Sequence, residues 1–419
     1  MKYSVVIPTY NHCEKYLKPC VDSIIKYSDM DDVELIISAN GCKDNTFQYL
    51  QYLNTAIPHL KVEWCDIPLG YPKATNKGVN AATADKIILL NNDTILLDQA
   101  KNQWLDMLNS PFLLDERVGI SGPIIQYSPD AASNFCVFFC AMIHRKVFDR
   151  IGLLNEEYGI GTGEDVEFSI EAMRAGFVIS ESAPKELISQ EMYGGGFPIY
   201  HSGEGTVHDK NLVSDFNAVF ARNGRKLARK YNPQNYKWSL MNNFERYVAI
   251  KGEEVQPREK SRYLWAADRL LGNSLLEIGC SNGYGSQFFG DSVNYLGLDY
   301  NPEIVTVAAE EGWGKNKKFV NADINTFDLQ QYDTIVAMEI IEHIDNGLEV
   351  AQRLKKHCKR LLITVPYKET PGFWGEHHRL HMLDESHLPG FEYKFMNEIG
   401  QIGDAPFDGM NLMLCEYND

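Results

Sequence analysis

Two stretches far apart in the chain share one grammar: an apolar strand, a loop of small or polar residues, then a helical pattern. The first is Tyr3-Ser-Val-Val-Ile-Pro-Thr-Tyr-Asn11, followed by a helical pattern from about Glu14 to Tyr27. The second is Ser274-Leu-Leu-Glu-Ile-Gly-Cys-Ser-Asn-Gly-Tyr-Gly285. Further strands follow each: Glu34–Ala39 and Lys86–Leu90 in the first half; Val293–Leu298, Thr334–Met338 and Arg360–Val365 in the second. Strands alternating with helices predict an α/β chain with two doubly wound parallel-sheet domains. A length of 419 residues accommodates two or three domains. The polar, basic stretch Asn217–Tyr231, then Asn232-Pro-Gln-Asn235, places the boundary so that the domains are 1–245 and 246–419.

Charge and apolar patterning narrow the function. The formal net charge of −17 argues against a nucleic-acid partner, because phosphate contact needs a basic surface. The longest nearly unbroken apolar run, Phe135–Ile143, is far below the roughly 20 residues that span a bilayer. Nine scattered cysteines do not form a disulfide framework, and the expected setting is cytoplasmic.

In an open parallel sheet, ligands bind beyond the carboxyl ends of the strands. Asn91-Asn-Asp-Thr94 follows the apolar run Ile87–Leu90, so Asp93 stands just past a strand end. A carboxylate there can hold a divalent ion against a diphosphate. An ordinary Asn/Asp turn would read the same way. Gly161-Thr-Gly-Glu-Asp-Val-Glu-Phe168 leads from a glycine loop into a helix, with Glu164 and Asp165 in its first turn. Acidic residues are ordinary helix-dipole partners there, and are also placed to take a proton from an acceptor hydroxyl.

Residues 3–231 resemble the inverting, GT-A-type family 2 glycosyltransferases, especially rhamnosyltransferase-like members. The matching blocks are Val6–Asn11, Asn40–Thr46, Gly70–Gly78, Leu89–Thr94, Gly163–Phe168 and Ile199–Gly203. The resemblance implies a nucleotide-sugar donor, UDP- or dTDP-linked, and a divalent metal, Mn or Mg. It puts Asp93 and His201 on the metal, with His208 as the alternative, and makes Asp165 the general base beside Glu164. Pro8, Tyr10, Asn40 and Asn76 would line the nucleotide. The chain departs from the pattern at Ala39-Asn40, where an acidic pair is common, and at Asn91, which replaces the first metal carboxylate.

In the second half, Gly279, Gly283 and Gly285 are not spaced as in a dinucleotide fold. Leu276–Gly285, Tyr295–Tyr300 and Phe319–Ile324 resemble the ordered blocks of class I S-adenosylmethionine methyltransferases, with Ser281 where glycine is usual. The resemblance makes Glu277, Gly279, Gly283, Asp299 and Asp323 the cofactor residues. Glu339, Glu342 and His343 recur at i, i+3 and i+4, so a helical turn would set them on one face. Two carboxylates and an imidazole suit a hard divalent ion. An acidic turn with His343 packed on the cofactor is the plainer reading. Gly375-Glu-His-His-Arg-Leu-His381 adds His377, His378 and His381, of which His378 is favoured. This pattern resembles metal-dependent O-methyltransferases, and His343 is the base if no metal is used.

Together these readings predict an enzyme that adds a sugar to a glycan acceptor and O-methylates a sugar hydroxyl. A lipid-linked acceptor would bring it to a membrane surface without a transmembrane segment. The rival readings are a nucleic-acid-modifying enzyme and a cofactor-binding scaffold with decayed sites.

Overall fold

The computed structural model describes residues 2–182, 196–203, 215–244, 249–373 and 377–419, with 241–244 described by backbone alone. The chain divides into two compact units, Met1–Tyr236 and Lys237–Asp419. That division falls within the helix Pro233–Phe244, ahead of the boundary expected at 245.

The first unit is built on a seven-stranded sheet. Its order is Val178–Glu181, Val118–Gly122, Cys140–His144, Lys86–Leu90, Tyr3–Thr9, Val33–Asn40, Leu60–Cys65. Lys86–Leu90, Tyr3–Thr9, Val33–Asn40 and Leu60–Cys65 run parallel, and Cys140–His144 is antiparallel to both of its neighbours. Alternation along a strand sends successive side chains to opposite faces. Val5 and Ile7 accordingly enter one buried cluster with Leu35 and Ile37, whereas Val6 joins Ile36 and Ile87 in another. Both faces are covered, which is why these strands read as unbroken apolar runs.

Strand order reverses between Tyr3–Thr9 and Lys86–Leu90, and a crevice opens at such a reversal. The loops at its mouth are braced. Asn11, in the left-handed region at φ 50°, accepts from the Lys43 amide at 2.7 Å. Asp44 accepts from the Cys13 amide at 2.8 Å. Two residues of the expected motif blocks therefore hold loops together.

The second unit has an eight-stranded sheet. Lys317–Asn321, Asn294–Asp299, Ser274–Ile278, Tyr332–Met338 and Cys358–Pro366 are parallel, and Asn411–Asn418, Glu392–Asn397 and Ile402–Gly403 continue it antiparallel. The order reverses between Ser274–Ile278 and Tyr332–Met338, creating a second crevice. Both units are mixed α/β with parallel-dominated sheets, consistent with GT-A and Rossmann-like methyltransferase folds. Among the described residues no helix is long and apolar enough to cross a membrane.

Deep in the first sheet, Glu34 is 1% exposed. It accepts from Ser4 Oγ at 2.7 Å and the Thr83 amide at 2.8 Å, and pairs with Lys61. Glu34→Ala would leave these donors unsatisfied. We expect a loss of about 2–3 kcal/mol in urea denaturation; an unchanged midpoint would show the pairing to be dispensable.

Candidate active sites

The first crevice holds a cavity of about 310 Å³ bordered by Pro8, Tyr10, Asn40, Asp93, Glu164, Asp165 and His201. Seven of the eight residues expected to form this site therefore line one space. His201 arrives by strand pairing: Ile199–His201 runs antiparallel to Thr94–Leu96, with His201 opposite Thr94. Its Nε2 lies 3.2 Å from Asp93 Oδ1 and 3.5 Å from Asn91 Nδ2, and its ring stacks on Phe139 at 4.7 Å. Asn91 Oδ1 is buried with no hydrogen-bond partner among the described residues. A carboxylate, an imidazole and an uncommitted amide oxygen form a donor set that suits Mn²⁺ or Mg²⁺. His208, the alternative to His201, lies outside the described residues.

Two expected nucleotide residues are spent on structure. Asn40 donates to the Thr9 carbonyl at 2.9 Å and accepts from the Leu69 amide at 2.8 Å, though it still borders the cavity. Asn76 does not border it. Its carboxamide accepts from the Leu154 amide and donates to the Leu154 carbonyl and Glu156, because its helix packs on that turn.

Glu164 and Asp165 open the helix Glu164–Arg174 after Gly163, whose φ of +103° favours glycine. The loop before them is fixed by Asn223, 1% exposed in the helix Phe216–Tyr231. Its single amide nitrogen reaches the carbonyls of Tyr158, Gly161 and Thr162 at 3.2, 2.9 and 2.9 Å. Sequence reasoning missed Asn223, since nothing local marks a residue whose partners are far upstream. Burial raises both acidic groups above the ordinary carboxylate range, and the negative charge of Asp165 adds to the effect at Glu164.

In the second unit a cavity of about 580 Å³ is bordered by Gly279, Asp299, Asp323 and His343. Gly279 has φ +69°, and a Cβ there would come 2.7 Å from Ile340. Asp299, 3% exposed, accepts from the Ser281 and Asn301 amides at 3.0 and 3.1 Å. Asp323 accepts from the Asn325 amide at 2.9 Å. Gly283 does not border the cavity; its role is packing, since a Cβ would meet Phe319 and Trp313 below 3 Å. Glu277 is also away from the cavity. It is fully buried beneath Tyr263 and Tyr295, whose hydroxyls donate to it at 2.8 and 2.6 Å. Burial pushes it up to about 7.

The expected alignment of Glu339, Glu342 and His343 on one helical face does not form. Only Ile341–His343 makes a 3₁₀ turn, and Glu339 precedes it with φ +49°. Its amide is anchored on Thr364, and its carboxylate turns to Arg262, which also pairs with Glu259 at 2.6 Å. Glu342, His343 and His378 converge instead, with ligand-capable atoms within 4.8 Å of one another. Arg379 and Leu380 amides donate to the Glu342 carbonyl, drawing His378 in. Both Glu342 carboxylate oxygens are buried with no hydrogen-bond partner among the described residues. Burial, then the charge of Glu339, holds this group well above its usual range. Orphaned oxygens beside two imidazoles fit a divalent ion.

Glu369, unmarked in the sequence, lies 2.5 Å from His378 Nδ1. Neither His377, whose carbonyl lies 3.2 Å from His343 Nδ1, nor His381 joins the cluster. Glu376 lies outside the described residues.

Residues 4–130 match the family model "Glycosyl transferase family 2", and residues 276–360 match "Methyltransferase domain". The chain carries a family 2 glycosyltransferase domain followed by a methyltransferase domain. O-antigen biosynthesis protein RfbC of Myxococcus xanthus is 23% identical over 228 residues, covering 45% of this chain and 17% of that protein. The uncharacterized glycosyltransferase MG060 of Mycoplasma genitalium is 27% identical over 120 residues, covering 28% and 34%. The matches span about a third or less of these relatives' lengths. The mannosyltransferase PcManGT of Pyrobaculum calidifontis, solved with GDP-Man and Mn²⁺, superposes with a TM-score of 0.36 at 17% identity, covering 44% of this chain and 57% of that one. The N-terminal domain of EvdMO1, solved with SAH and D-fucose, gives 0.31 at 13%, covering 45% and 97%.

The acidic pair of the glycosyltransferase domain generates a pH prediction. A carboxyl raised in the folded state keeps its proton when the unfolded chain has lost it, so its contribution to stability falls as pH rises out of the ordinary carboxylate range. Replacing Glu164 by Gln should therefore flatten the decline of thermal stability above about pH 5. Parallel curves for the two proteins would contradict the raised pKa.

Proposed function

We propose that the chain is a two-activity transferase of glycan assembly. It transfers a sugar with inversion from a UDP- or dTDP-linked donor to a glycan acceptor, and it O-methylates a sugar hydroxyl with S-adenosylmethionine. One observation carries the first activity: the Asp93–His201 pair and the Glu164–Asp165 pair border a single cavity.

Asp165 takes the proton of the acceptor hydroxyl, while the acceptor oxygen attacks the anomeric carbon from the face opposite the diphosphate. Glu164, the deeper of the two, holds a proton beside it and limits the charge on the pair. Pro8, Tyr10 and Asn40 border the nucleotide. Asp93 and His201 would hold a divalent cation, which when bound would supply charge neutralisation for the leaving diphosphate. The relative RfbC, named for O-antigen biosynthesis, supports a polysaccharide or lipid-linked acceptor. Such an acceptor would place the enzyme at a membrane surface from the cytoplasmic side.

In the methyltransferase domain, Gly279, Asp299 and Asp323 border the cofactor. His343 belongs both to that cavity and to the cluster with Glu342 and His378. These three residues would hold a second divalent ion, which when bound would lower the acceptor hydroxyl's pKa. His343 serves as base in its absence.

Asp165→Asn should lower sugar transfer about 10²–10⁴-fold with donor affinity unchanged. Full activity in that variant would remove Asp165 from the base role. Mn²⁺ titration calorimetry on the full chain should count two sites. Asp93→Ala should abolish one and Glu342→Ala the other; retention of both sites in either variant would refute that assignment.

A further inference from the structure

The methyltransferase domain has a second cavity, of about 190 Å³, that shares no bordering residue with the cofactor cavity. It is bordered by Arg258, Glu339, Tyr367, Lys368, Glu369 and Phe373, among others. The two spaces meet at the Glu342–His343–His378 cluster. His343 borders the cofactor cavity, and Glu369 of the second cavity sits 2.5 Å from His378.

We propose that this second cavity is the methyl-acceptor site and that it takes an uncharged sugar ring laid against Phe373. The inference rests on the methyltransferase reading above. Phe373 is 56% exposed, so a flat apolar surface faces solvent beside polar groups. A pyranose has that same division, with C–H bonds on one face and hydroxyls at the edge.

The charge pattern selects the class. Arg258 lies 3.7 Å from Glu259, Glu339 is paired with Arg262, and Glu369 is bonded to His378. Lys368, at the exposed rim, sits over the Tyr367 ring at 4.9 Å. Each carboxylate that borders the cavity already has a cationic or imidazole partner, and Arg258 has Glu259 beside it, so neither a cation nor an anion finds an unanswered buried charge. A hydroxyl does find an acceptor. The Glu369 side chain is 6% exposed, and its Oε1 is buried with no hydrogen-bond partner among the described residues.

Backbone conformation points to the same place. Glu339 and Lys368 border the cavity with φ of +49° and +53°, and Met382, at φ +55°, donates its amide to the Glu369 carbonyl at 2.9 Å. Strained non-glycine residues gather where a site must be held in shape.

The test is saturation-transfer NMR on the full chain with S-adenosylhomocysteine bound. The probes are methyl glycosides of the common hexoses and 6-deoxyhexoses, with methyl glucuronide as the charged comparison. At least one neutral glycoside should bind. Phe373→Ala should weaken it at least tenfold, and Glu369→Gln should weaken it measurably, while S-adenosylhomocysteine affinity and melting temperature stay as in the wild type. Binding by the glucuronide alone, by no glycoside, or unaffected by Phe373→Ala would overturn the proposal. Failure to bind S-adenosylhomocysteine at all would instead overturn the methyltransferase reading.

Discussion

Removing a carboxylate from water costs several kcal/mol unless hydrogen bonds or an opposite charge replace the lost hydration. This chain buries carboxylates repeatedly, and their compensation separates scaffold from site. Glu34 is answered by Ser4, Thr83 and Lys61, and Glu277 by two tyrosine hydroxyls. Glu164 and Glu342 are different: each retains buried oxygen without a hydrogen-bond partner among the described residues. In both domains the deficit falls beside a crevice where strand order reverses. The fold supplies a dry location there and leaves the final compensation to a proton or a ligand.

The two domains solve the same positioning problem differently. In the glycosyltransferase domain, the acidic pair is carried by a helix start, and the loop before it is clamped from a distant helix by Asn223. In the methyltransferase domain, a 3₁₀ turn too short to be self-supporting carries Glu342 and His343. Backbone bonds from Arg379 and Leu380 and the Thr364 anchor brace it. Regular structure sets the approximate place, and a few long-range polar contacts set the ångström.

The sequence made the strands legible because both faces of each sheet are covered, so residues such as Val5, Val6 and Ile7 are apolar without interruption. Asp93 was readable for a related reason: it follows the run Ile87–Leu90 and must stand at a strand end. His201 had no local signal and entered through resemblance alone. Residues whose partners are distant in sequence stayed hidden, as with Asn223 on the glycine loop and Arg262 on Glu339. Spacing misled in one place. The i, i+3, i+4 pattern at Glu339, Glu342 and His343 assumed a helix that the left-handed Glu339 prevents. Resemblance made Glu277 a cofactor residue, whereas its side chain faces the tyrosines.

The pairing of Ile199–His201 with Thr94–Leu96 carries a consequence for change in this chain. Only three residues on each side set the register that brings His201 to Asp93. Side chains in a strand alternate faces, so a shift of one position would turn the imidazole away and present Tyr200 or Ser202 in its place. A single-residue insertion inside this short ladder should part the imidazole from Asp93 while leaving the large sheet intact, a separation by parity rather than by chemistry.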